Sequence, residues 1–249
     1  MGWGFDDKLI QDFGKFTRIK NFHSPNIPQR SEIEKLAKDF KPEPKLNLSV
    51  LENFDEADKF CKDLFLNKSK YYDFIHLTKL TNLPSIIKMG GIYSKNYLKD
   101  KNVEMDFITE DLSHSLDKRR NLDDYVHLSI IGDSPMLRRF LNRTYGLSEP
   151  DEHGLQVEKQ SNFALILISP LILYYRAFLM SDKNATDNNA NINKYSVIKN
   201  TLNFEKLYAI DGFPDYSNQS EFKMAQSEVM IYENIPLKFV SEIIPLIWC

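Results

Sequence analysis

An α+β protein with a helical N-terminal extension is what this sequence predicts, and three observations predict it. Residues 1–70 combine helix-breaking extended stretches with two helical patterns. From Tyr71 onward short strand-like runs alternate with short helices. Strand-like apolar segments then recur to the C-terminus with no internal repeat. The expected division is an extension over residues 1–70 and a main domain over residues 71–249.

The elements follow in order. Ser24-Pro25-Asn26-Ile27-Pro28 and Lys41-Pro42-Glu43-Pro44 are extended, because proline removes a donor and fixes φ. Between them Ser31-Glu32-Ile33-Glu34 has the capping-box pattern and opens a short helix through Phe40. A second helix follows Asn53. Phe54, Ala57, Phe60, Cys61, Leu64 and Phe65 recur at three- and four-residue spacing, one apolar stripe for packing on the main domain. Residues 74–77 read as a strand and 80–89 as a helix closed by Gly90-Gly91. Residues 125–131 form another strand and 135–141 a helix. Residues 163–168 form a buried strand, followed by a helix from Pro170, since proline fits a first helical turn. The Asn-rich residues 184–193 read as a loop or an irregular helix start, and 211–219 as a turn-rich connection. Strand-like segments close the chain through Phe239, Val240 and residues 243–247.

Composition is that of a globular protein: 249 residues, 42% hydrophobic and 27% charged. A formal net charge of -3 gives no global signature of a nucleic-acid binder, so such binding needs a local patch. Two cysteines, Cys61 and Cys249, exclude a disulfide framework or a cysteine-rich zinc site. The five histidines show no paired ligand spacing, so no metal is expected. The N-terminal residues lack the order of a signal peptide, and the apolar run 163–180 is interrupted by Ser169-Pro170 and Arg176. A soluble, cytoplasmic protein with no membrane partner is expected.

The run Ala225-Gln226-Ser227-Glu228-Val229-Met230-Ile231 plants one carboxylate in a strand-like segment. Alternation puts Val229 and Ile231 on one face and Gln226, Glu228 and Met230 on the other. A carboxylate there costs desolvation unless its face opens onto a site or it is paired. An edge-strand glutamate facing water is the ordinary alternative.

The company of Glu228 carries the argument further. In order along the chain stand Ile75-His76-Leu77-Thr78, Asn82-Leu83-Pro84-Ser85-Ile86, Gly90-Gly91 and Lys118-Arg119-Arg120. They continue with Asp124-Tyr125-Val126-His127, Ser134-Pro135-Met136-Leu137, Ser181-Asp182-Lys183-Asn184-Ala185 and the Glu228 run. This ordered set, over roughly residues 74–244, resembles the DarT family of nucleic-acid ADP-ribosyltransferases, the toxins of toxin–antitoxin pairs. The resemblance implies the ADP-ribosyltransferase fold, two packed and mainly antiparallel sheets with flanking helices and a cleft for NAD. It implies transfer of ADP-ribose from NAD to a base in single-stranded nucleic acid, with nicotinamide released. It also implies a cytoplasmic setting and a cognate antitoxin protein as partner.

Residue by residue, the resemblance makes Glu228 the catalytic glutamate, stabilising positive charge on the ribose and helping to deprotonate the base. It assigns His76, Thr78 and Asn82 to the cofactor, with a satisfied core histidine and a helix cap as the ordinary alternatives. Gly91 would let backbone approach the nicotinamide side. The Lys118-Arg119-Arg120 cluster supplies an essential arginine. Arg119 is preferred as catalytic and Arg120 as a cofactor contact, though a solvated basic face is the alternative. Arg139 and Arg143 share a helix face that would bind nucleic-acid phosphates, or form ordinary surface charge. Residues 211–223 would form the acceptor-reading loop, with Tyr216 and Phe222 available to stack a base.

The sequence also departs from the family. Tyr125-Val126-His127-Leu128-Ser129-Ile130 stands where the family commonly has Tyr-Val-Pro-Phe-Tyr-Phe, and Asp133 stands where an arginine precedes Ser-Pro-Met. These departures leave the acceptor open: a base in single-stranded DNA is expected, with RNA, or a protein side chain or water, as alternatives. A degenerate nucleotide-binding domain is the non-enzymatic alternative.

Overall fold

The computed structural model describes residues 29–36, 40–42, 48–67, 73–105, 118, 120–131, 135, 163–210 and 218–246. Its first helices are α1 (Arg30–Leu36) and α2 (Val50–Asn67). α2 begins earlier than Asn53 because Ser49 and Glu52 form a reciprocal cap. The Ser49 N–H donates to Glu52 Oε2 at 2.8 Å and the Glu52 N–H donates to Ser49 Oγ at 3.2 Å. At α1 the back-reaching carboxylate is Glu32. It accepts from the Gln29 N–H at 2.8 Å, so the helix opens ahead of Ser31.

The apolar stripe of α2 enters the core. Ala57, Phe60, Cys61 and Leu64 are fully buried. The Phe60 ring lies among those of Tyr195, Phe204, Phe74 and Phe178, at centroid distances of 5.0, 5.8, 5.9 and 6.4 Å. Asn53 donates from Nδ2 to the carbonyls of Leu173 and Arg176 at 2.7 and 3.1 Å. Glu56 Oε2 accepts from the Ser196 N–H at 2.7 Å. α2 therefore shares one core with the sheet that follows, although it precedes the boundary expected at residue 70.

That sheet is antiparallel and seven-stranded among the described residues. Its strands are β1 (Phe74–Lys79), β3 (Tyr125–Ser129), β4 (Phe163–Ile168), β5 (Phe178–Ser181), β6 (Ile192–Asn193), β7 (Glu228–Tyr232) and β9 (Val240–Leu246). They lie in the order β6-β5-β7-β3-β1-β4-β9. A second, two-stranded sheet pairs β2 (Gly91–Tyr93) with β8 (Asn234–Pro236). Between the strands run α3 (Leu83–Met89), α4 (Lys95–Asp100), α5 (Tyr195–Ile198), α6 (Phe204–Tyr208) and α7 (Gln219–Met224).

Two features position the site. First, the sheet has two differently used faces. Val126, Leu128, Phe178, Met180, Val229 and Ile231 join the main core, whereas Tyr125, Leu179 and Met230 build a smaller cluster with Leu122 and Ala185 on the opposite face. Glu228 belongs to that second face by alternation with Met230. Second, β1 and β3 exchange a single pair, Ile75 opposite Ser129, whereas β3–β7 and β1–β4 pair along their lengths. Antiparallel strands that meet at one end diverge beyond it. The segment from His76 onward on β1 therefore separates from the Tyr125 end of β3.

The helix expected from Pro170 is corrected. A five-residue 3-10 turn (Pro170–Tyr174) gives way to β5, whose residues are all buried. A continuous apolar run carries no periodicity that separates helix from buried strand, and pairing between β6 and β7 decides it. The turn after α3 follows expectation: Gly90 takes φ 77° and its N–H reaches the carbonyls of Ile86 and Ile87. Among the described residues no helix is long and apolar enough to cross a membrane.

Candidate active site

Glu228 is the first residue of β7, not a mid-strand position, because α7 and a turn through Ala225 and Gln226 occupy the residues before it. Its side chain is 18% exposed and is gripped at both oxygens. His127 Nδ1 lies 2.6 Å from Oε2, and the Ala185 N–H donates to Oε1 at 3.3 Å. The Glu228 N–H donates to Ser181 Oγ at 3.1 Å, and that hydroxyl in turn donates to the Lys183 carbonyl at 2.5 Å. An ionised carboxylate only accepts, so the proton in the His127 contact sits on Nδ1. The register explains the contact: Ser129 faces Glu228 and His127 faces Met230, so His127 reaches Glu228 diagonally on one sheet face.

His76 completes a chain of contacts. Its Nδ1 lies 3.2 Å from the His127 carbonyl oxygen, where the two strands part. A carbonyl accepts, so Nδ1 carries the proton and Nε2 carries the lone pair. Burial pushes the imidazole down to about 4, against a weaker upward pull from the His127 carbonyl. His76 is therefore neutral at physiological pH.

Two residues from His76 along the same side of β1, Thr78 is buried and its Oγ1 accepts from Asn82 Nδ2 at 3.1 Å. Asn82 leads into α3 without a side-chain cap bond, so its amide serves Thr78 instead of the helix end. Gly91 sits on β2, where an added Cβ would lie 2.6 Å from the Ile235 carbonyl oxygen. Its lack of a side chain is required by the close approach of β8.

Arg120 spends its guanidinium on the loop that carries Ala185. NH1 donates to the Ala185 carbonyl and NH2 to the Asn188 carbonyl, each at 2.8 Å. The loop is braced further by Asn184, whose Oδ1 accepts from the Thr186 N–H at 2.9 Å and whose Nδ2 donates to Gln226 Oε1 at 3.3 Å. Arg120 thus reaches Glu228 through the Ala185 peptide. Phe222 lies on α7, a helix with no buried residue. Arg119, Arg139, Arg143 and Tyr216 fall outside the described residues.

Contacts join His76 to His127, His127 to Glu228, and Glu228 through Ala185 to Arg120, with Ser181 at the Glu228 N–H, while Thr78 and Asn82 form a separate pair further along β1. The sequence reading gave His127, Ser181 and Ala185 no role. Among the described residues no group of three or more His, Cys, Asp or Glu side chains could hold a metal ion.

Comparison with known proteins identifies the family and the fold. The family model described as ssDNA thymidine ADP-ribosyltransferase, DarT, matches residues 75–245. This chain belongs to the DarT family. The matched stretch takes in every site contact described above, from His76 on β1 to Glu228 on β7. Three solved DarT structures resemble the chain. Thermus sp. 2.9 DarT in complex with ADP-ribosylated ssDNA gives a TM-score of 0.50 at 19% identity, over 71% of this chain and 83% of that one. Thermosipho africanus DarTG in complex with ADP-ribose gives 0.51 at 19% identity, over 70% of this chain and 43% of that one. Thermus sp. 2.9 DarT in complex with NAD+ gives 0.49 at 17% identity, over 71% and 82%. No curated protein sequence matches the chain. DarT enzymes are NAD-dependent ADP-ribosyltransferases, and the expected family and α+β fold are both met.

Proposed function

We propose that this chain transfers ADP-ribose from NAD to thymidine in single-stranded DNA, with Glu228 as the carboxylate at the reacting ribose. The observation that carries the reading is the Glu228 carboxylate, largely buried and fixed at both oxygens by His127 and the Ala185 amide. In the reaction the bond between C1′ and the nicotinamide nitrogen breaks, and its electron pair leaves with nicotinamide. Positive charge grows on the ribose as in glycoside cleavage, and a carboxylate held nearby stabilises it. C1′ then bonds to thymine N3, the ring nitrogen that carries a proton in a nucleoside. That proton passes to Glu228. A carboxylate offers about four acceptor positions, so two contacts leave room for a ribose hydroxyl and a base proton.

His76, Thr78 and Asn82 would hold the nicotinamide riboside. The neutral His76 accepts from a ribose hydroxyl through Nε2 and adds no charge beside the cationic nicotinamide ring. Arg119 is assigned to the reaction, and Arg139, Arg143, Tyr216 and Phe222 to the strand that carries the acceptor. The reading puts the enzyme in the cytoplasm, with a cognate antitoxin as protein partner.

The test is transfer of label from NAD to matched single-stranded DNA and RNA oligonucleotides, with Glu228→Ala alongside. DNA labelling that disappears in the variant is expected. Labelling confined to RNA or to protein would refute the DNA acceptor.

A further inference from the structure

We infer that His127 is the positioning residue for Glu228, orienting the carboxylate that meets the reacting ribose; the inference rests on the reading of Glu228 given above. The geometry is specific. The imidazole reaches Oε2 at 2.6 Å by Nδ1, while its own peptide carbonyl accepts from His76 at 3.2 Å. His127 is thus held through its backbone where β1 and β3 diverge, and it holds Glu228 through its ring. The ring is 29% exposed and Glu228 18%. The contact therefore lies where water competes less than at an open surface.

Glutamate has three rotatable side-chain bonds, and at the start of a strand its backbone alone does not aim the carboxylate. The Ala185 N–H fixes one oxygen, and the shorter His127 contact fixes the other. Together they define the plane of the carboxylate.

The experiment measures nicotinamide release and transfer to thymidine-containing single-stranded DNA for the full chain and for Glu228→Ala, His127→Leu, His127→Asn and His127→Gln. Thermal melting accompanies each variant. His127→Leu should lower kcat by about 10–100-fold with KM for NAD within about threefold, the range expected when a reacting group is misaimed. Asn carries its amide nitrogen where Nδ1 sits, so His127→Asn should recover to within about fivefold of the wild type, whereas Gln, one bond longer, should remain as slow as Leu. Asn as slow as Gln, with both folded, would overturn the inference even if the Leu variant fails to fold. So would a folded His127→Leu within about twofold of wild-type kcat. If Glu228→Ala abolishes activity and the His127 variants do not, the inference fails and the functional reading stands. If Glu228→Ala keeps full activity, both fall together.

Discussion

Arg120 separates two accounts of the basic cluster. Its guanidinium donates at 2.8 Å to the carbonyls of Ala185 and Asn188, and the Ala185 N–H in turn holds Glu228 Oε1. If this is its work, Arg120→Met should loosen the loop without removing a ligand of NAD. Hydrogen bonds from a charged donor contribute about 1.5–3 kcal/mol each, and screening at a half-exposed position reduces the pair to about 1–2 kcal/mol in all. That corresponds to a roughly 5–30-fold loss of the ordered loop. The same factor is expected in kcat, because the loop is needed when charge develops and not when NAD binds. Steady-state nicotinamide release over a range of NAD concentrations reads it, with KM expected within about threefold of wild type. Arg120→Lys keeps the charge but cannot serve both carbonyls, and should fall between. A KM raised tenfold or more with kcat retained would refute the loop account and make Arg120 a phosphate ligand.

Two further outcomes follow from burial. Phe60→Ala removes a fully buried ring enclosed by four others, and should cost about 3–5 kcal/mol and lower Tm by roughly 10 °C. A loss under about 1 kcal/mol in a denaturant melt would show that α2 is not part of the cooperative core. His76 gives a pH dependence. Its folded value near 4 lies below the unfolded 6.5, so the unfolded chain binds more protons between these limits. The stability from its neutral form is present above about pH 6.5 and is lost as pH falls to 4, by at most about 3 kcal/mol given its partial exposure. Asp63, raised by burial, acts in the opposite sense and is common to both proteins. His76→Gln should therefore flatten the acid side of the stability curve, and an unchanged acid limb would contradict the assignment.

Much of this was legible in the sequence where local pattern decides structure. The alternation of Val229 and Ile231 against Glu228 gave the faces of β7, and the apolar stripe of α2 is buried as its spacing requires. The misses are equally physical. The start of α2 is set by Ser49-Val50-Leu51-Glu52, a capping box that lies ahead of the apolar stripe beginning at Phe54. β5 looked helical because a fully buried strand has no period of its own. His127 entered the sequence reading only as a departure from a family run. Its role depends on pairing β3 with β7, about a hundred residues apart in the chain, which no local spacing reveals. The run from Ser181 to Ala185 stood in the ordered set without roles, because the Ser181 hydroxyl and the Ala185 amide meet Glu228 only once β5 is paired with β7.

The most direct test of the central claim is mass analysis of single-stranded DNA carrying one thymidine, after incubation with NAD and either the wild-type chain or Glu228→Gln. The account requires one ADP-ribose on the thymine base with wild-type protein, none on the matched oligonucleotide lacking thymidine, and none with the variant. An adduct on another base, or one that survives in Glu228→Gln, would contradict it.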